Sequence, residues 1–78
     1  MTITQQLIKD SNIKYVLKGV KEYGALMTEF HFISTLSCDN FLDWVRLNIE
    51  RYGGAVTQYY KNNGTTVTVE FKQKGYEQ

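Results

Sequence analysis

At 78 residues, with 42% hydrophobic and 22% charged side chains, the chain has room for a single domain over 1–78 and lies far from the composition of disordered proteins. A net charge of +1, from nine basic and eight acidic residues, is too balanced for a protein whose main work is gripping phosphate backbones. The one cysteine excludes an intramolecular disulfide framework, and no apolar run reaches the length of a membrane span.

The segment Met1 to Gln6 has neither a basic n-region nor an apolar h-region, so a cytoplasmic protein is expected. Residues 2 to 10 can form a short N-terminal helix, capped by Thr2 or Thr4 and anchored only by Leu7 and Ile8. From Ile13 the period becomes two: Ile13, Tyr15 and Leu17 alternate with Lys14, Val16 and Lys18, the pattern of a half-buried strand. Lys21 to Gly24 reads as a turn, and a second strand follows from Ala25 to Ser34. There Leu26, Thr28, Phe30 and Phe32 face one side, and Met27, Glu29, His31 and Ile33 the other.

The next segment is an amphipathic helix. Ser37 or Asp39 is expected to cap its start and Gly53-Gly54 to close its end. At about 100° per residue, Cys38, Phe41, Leu42, Val45, Ile49 and Tyr52 gather on one stripe. Two final strands are joined at Asn63-Gly64, a favoured pair for a tight type I′ turn. That turn sets Tyr60 opposite Val67, Gln58 opposite Val69 and Val56 opposite Phe71, with Val56, Tyr60, Val67, Val69 and Phe71 inward. The fold class is therefore α+β: a ββαββ domain with a four-stranded antiparallel sheet, one helix on one face and a short N-terminal helix.

No constellation for catalysis, metal or cofactor stands out, and the chain is read as a non-enzyme. His31 and Cys38 form the single conceivable base–nucleophile pair, but they read more simply as a surface strand residue and a small core residue. Asp39 and Asp43 are four apart and could face each other, yet acidic side chains near a helix N-terminus need no metal to explain them. Gly53-Gly54 follows a helix, whereas a phosphate cradle precedes one.

Surfaces are more informative. Trp44, Leu47 and Arg51 fall outside the core stripe of the helix, and Trp and Arg are frequent interface anchors. With Tyr59 from the sheet they form the expected partner-binding set. The competing explanation is a wide core stripe and an ordinary exposed leucine. A second surface is the uncovered sheet face, with Lys14, Val16, Lys18, Met27, Glu29, His31, Ile33, Tyr59, Thr68 and Glu70. Lys14, Lys18 and Lys21, with Lys72 and Lys74, are the candidate nucleic-acid contacts, although Glu22 adjoins Lys21.

In size and in its hairpin–helix–hairpin layout over 13–72, the chain resembles small inhibitor proteins of phages and mobile elements, anti-CRISPR proteins among them. That resemblance implies stoichiometric binding to a protein or ribonucleoprotein complex in the host cytoplasm, blocking it sterically. It carries over no individual residue. The competing readings are a small nucleic-acid-binding or transcription-regulatory protein, and a homo-oligomeric structural protein whose dimer seam is the sheet face.

Overall fold

A computed structural model describes residues 2–72. Helix α1 (Ile3–Ser11) is followed by a 3₁₀ turn, Lys14–Val16, and then by strands β1 (Leu17–Tyr23) and β2 (Met27–Phe32). Helix α2 (Thr35–Asn48) runs into a second 3₁₀ turn, Ile49–Tyr52, ahead of strands β3 (Val56–Asn63) and β4 (Thr66–Phe71). All strand pairs are antiparallel, in the order β1-β2-β4-β3, so each hairpin places one strand at an edge and one in the centre. Among the described residues no helix is long and apolar enough to cross a membrane.

The core lies between the sheet and α2. Phe30 and Phe32 of β2, Val67, Val69 and Phe71 of β4, and Cys38, Phe41 and Val45 of α2 are all buried there. Phe41 sits at the centre, with its ring 5.0 Å from that of Phe30 and 5.3 Å from that of Phe32. The helix stripe read from the sequence is the stripe that packs: Leu42, Ile49 and Tyr52 flank the buried three.

Helix α1 joins the same face. Thr2 caps it reciprocally with Gln5, each side chain bonding the other's backbone N–H. Leu7 is buried in the common core, and Thr4 meets Thr28 of β2 in a buried hydroxyl pair of 2.8 Å. Ile3 packs against the core as well as Leu7 and Ile8, so three apolar anchors rather than two hold the helix, with the caps and this polar contact.

The structure corrects four boundaries. The first strand starts at Leu17 rather than Ile13, and its turn is Gly24–Leu26 rather than Lys21–Gly24. Asn12 ends α1 in the left-handed region, and the following 3₁₀ turn sends Ile13 and Val16 inward at i,i+3, leaving Tyr15 83% exposed. An alternation of two and a 3₁₀ spacing of three both fit so short a run. The cap of α2 is Ser34, whose Oγ accepts the Ser37 N–H at 3.1 Å, not Ser37 or Asp39. Its regular turns stop at Asn48, and the left-handed Gly53 (φ 59°) closes the 3₁₀ extension.

The last hairpin turns at Gly64-Thr65, one position later than expected, so Asn63 pairs with Thr66. Asn63 Oδ1 accepts the Thr65 N–H at 2.9 Å, an Asx-type bond that substitutes for the type I′ geometry. Irregularities at Asn62 and Thr57 then move the register, giving Tyr60 opposite Thr68 and Tyr59 opposite Val69, before Val56 meets Phe71 as expected. Tyr59 therefore faces the helices, and Tyr60 and Gln58 face the open side.

Candidate protein-binding surface

The outer side of α2 is less polar than solvation requires. Ser34 begins the helix early enough to include Leu36, and at about 100° per residue Leu36, Asn40, Asp43 and Leu47 fall on one outward stripe. Leu36 is 69% exposed and Leu47 74%. They are three turns apart, so the stripe carries an apolar residue near each end with polar residues between.

Trp44 lies beside this stripe, half-buried. One face of its indole stacks on Phe41, with centroids 6.4 Å apart and planes within 8°. Its edge meets Tyr52, and the Arg51 guanidinium stands 5.8 Å from its centroid. The indole is thereby fixed in position at the wall of a groove of about 300 Å³ whose other lining includes Asn12, Ile13, Val16 and Asn40. Trp44 thus covers the core edge and also presents a prepared surface. Asn48 adds rigidity by donating from Nδ2 to the Trp44 carbonyl at 2.8 Å.

Three of the four expected contact residues, Trp44, Leu47 and Arg51, are neighbours here. Tyr59 is not among them: it packs on the core from β3. Lys61 of β3 reaches Asp39 at 2.9 Å, and Asp39 is five residues from Trp44, about 140° around the helix, so β3 lies on the other flank of α2. The surface residue missed in the sequence is Leu36. Its signal was its phase, within about 20° of Leu47, hidden by placing the cap at Ser37 or Asp39.

The remaining candidates are dispersed. Lys14 lies in the 3₁₀ turn with its Nζ 5.7 Å from the neighbouring Tyr15 ring, Lys18 marks the irregularity in β1, and Lys21 pairs across the sheet with Glu29. Lys72 is exposed just beyond β4, and Lys74 lies outside the described residues. Apart from Met27 and the 61%-exposed Ile33, the open face is polar and bonded: His31 contacts Glu29 at 3.2 Å and Thr66 at 3.3 Å, Thr68 donates to Asn62, and Tyr60 donates to Glu70 at 2.9 Å. Val16 and Tyr59 do not belong to it, since both pack toward the helices. Glu29 and Glu70 place carboxylates on the two central strands, where a nucleic-acid platform would present stacking and cationic groups.

His31 and Cys38 are separated by the sheet. His31 points to the open face, whereas Cys38 is fully buried on the helix side, where burial pushes its thiol pKa up and Asp39 adds to the shift. They form no base–nucleophile pair. Asp39 and Asp43 diverge as well, Asp39 to Lys61 and Asp43 to Arg46 at 3.6 Å. Comparison with known proteins finds no match to this chain among family models, curated proteins or solved structures.

Proposed function

We propose that this chain is a protein-binding module without enzymatic activity, of the phage-inhibitor type that its size and layout resemble. It acts in the host cytoplasm by occupying a surface of a host defence or nucleoprotein complex. The observation that carries this reading is the exposure of Leu36 and Leu47 on one stripe of α2, beside an indole held rigid by Phe41 and Arg51. An aromatic and an arginine beside exposed leucines match the usual anchors of protein interfaces, and a prepositioned indole loses little freedom on binding. The groove between Trp44 and Ile13 suits an apolar side chain of the partner, and Arg51, against the indole, can meet a carboxylate of the partner.

The test is capture of a purified host defence or nucleoprotein complex by immobilised protein, with wild type beside Leu47→Glu, Trp44→Ala and the open-face control Gln58→Lys. Binding that survives in the control and is lost in Leu47→Glu and Trp44→Ala supports the reading. Equal capture by all four removes α2 as the site. Retention of nucleic acid alone, weakening steeply as salt rises, favours the nucleic-acid reading instead.

A further inference from the structure

The β1 edge carries a second interaction surface, independent of α2. Six of its seven residues are exposed, and it is hydrogen-bonded to β2 on one side only. The direction of its free backbone groups follows from two bonds. Phe32 donates its N–H to the Thr65 carbonyl at 2.8 Å, toward β4, and Ile33 donates to the Val16 carbonyl at 3.0 Å, toward the β1 side. Backbone groups alternate in direction along a strand, so Glu29 and His31 also face β1, and their partners Lys21 and Gly19 face back. Val20 and Glu22 consequently point both their N–H and C=O groups away from the sheet.

We infer that β1 pairs antiparallel with β1 of a second copy of this chain about a two-fold axis at Val20, joining two four-stranded sheets into one of eight strands. The register is chosen by the side chains. A two-fold at Val20 sets the 38%-exposed Val20 against its counterpart and brings each Lys18, which sits at the irregularity between Leu17 and Gly19, beside the other copy's Glu22 at the end of the paired segment. A two-fold at Lys21 or at Glu22 would set like charges directly opposite each other. One at Gly19 would leave the lysine facing valine and the glutamate unmatched. The Val20 register also lets Val20 exchange its outward bonds with its counterpart, as the backbone directions require. Lys21 falls opposite Gly19, where the lack of a side chain leaves open space. The opposite edge, β3, carries two irregularities in register against the one in β1, and is the poorer template.

The experiment measures mass in solution, by sedimentation or native mass spectrometry, for the full chain and for Lys18→Glu and Glu22→Lys. Both side chains are exposed, and circular dichroism checks that each variant is folded. Wild type is expected to dimerise with rising concentration, and its Val20 and Glu22 amides to gain protection from hydrogen exchange as it does so. Each single variant places like charges at both contacts and should weaken self-association by about tenfold or more. An equimolar mixture of the two variants restores opposite charges at every contact, so it should form the heterodimer. A monomeric wild type, unaffected dimerisation in the single variants, or a mixture that stays monomeric would each overturn the proposal. Dimerisation abolished by Leu47→Glu but not by the charge variants would assign the seam to α2 and overturn it equally.

Discussion

The Tyr52 hydroxyl donates a 2.7 Å hydrogen bond to Asp10 Oδ2 across 42 positions of sequence, tying the end of α1 to the 3₁₀ turn that follows α2. Gln6 secures the other carboxylate oxygen at 2.8 Å. This contact ties α1 to the segment that leaves α2, on the helix side of the sheet. It also holds Tyr52 against Trp44, so the proposed binding surface depends on it.

The contact makes stability pH-dependent at both extremes. The Tyr52 hydroxyl holds the Asp10 carboxyl below its ordinary value of 3.8, with smaller help from Gln6, Arg51 and Lys9 and opposition from burial. A depressed carboxyl pKa stabilises the fold above 3.8, and this stabilisation is lost as pH falls through the lower folded value. Tyr52 behaves oppositely: burial first, then the bond to Asp10, raises it far above the ordinary phenol value of 10.0. Its contribution is present below pH 10.0 and is lost as pH rises beyond it. Tyr52→Phe should lower stability by about 1 kcal/mol near neutrality and flatten both limbs of the stability–pH curve, read by urea unfolding. Limbs as steep as wild type's would assign the pH dependence elsewhere.

The Thr4–Thr28 pair offers a second test, because both hydroxyls are buried and bond each other. Replacing either threonine by valine strands the other hydroxyl and should cost about 1–2 kcal/mol. Replacing both removes the stranded group and should recover most of that loss. A double-mutant cycle with no coupling would show that the pair does not join α1 to the sheet energetically.

Helix capping distinguishes the observed start of α2 from the one the sequence suggests. Ser34→Ala should destabilise by about 1 kcal/mol, since the Ser37 N–H loses its acceptor. Asp39→Asn removes only the exposed ion pair with Lys61 and should cost about 0.5 kcal/mol or less. Thermal unfolding of the two variants side by side reads the difference. A larger loss from Asp39→Asn would relocate the cap.

Hydrophobic period and local caps were enough to read the α+β class, the four strands, the buried stripe of α2 and the placing of Thr28, Phe30 and Phe32 on the helix side. Each of those signals acts within one element, through spacing that side-chain geometry imposes on that element alone. The grouping of Trp44, Leu47 and Arg51 was legible because helical spacing relates them, and the structure brings them together on α2 and the 3₁₀ turn that follows it.

Tertiary structure decided what depends on two elements meeting. Irregular pairing in the last hairpin turned Tyr59 inward and Tyr60 outward, because one extra residue in a strand exchanges the faces of its neighbours. The start of α2 depended on which hydroxyl the chain brings to the Ser37 N–H, and Ser34 became the cap only where the chain leaves β2 in an extended conformation. The strand order also lay outside any local pattern. It set β1 at an edge with Val20 and Glu22 facing outward, and it put the sheet between His31 and Cys38. Sequence alone determined most of the residues to be hidden, Val16 and Tyr59 excepted; only packing determined which neighbours hide them and which backbone groups are left facing out.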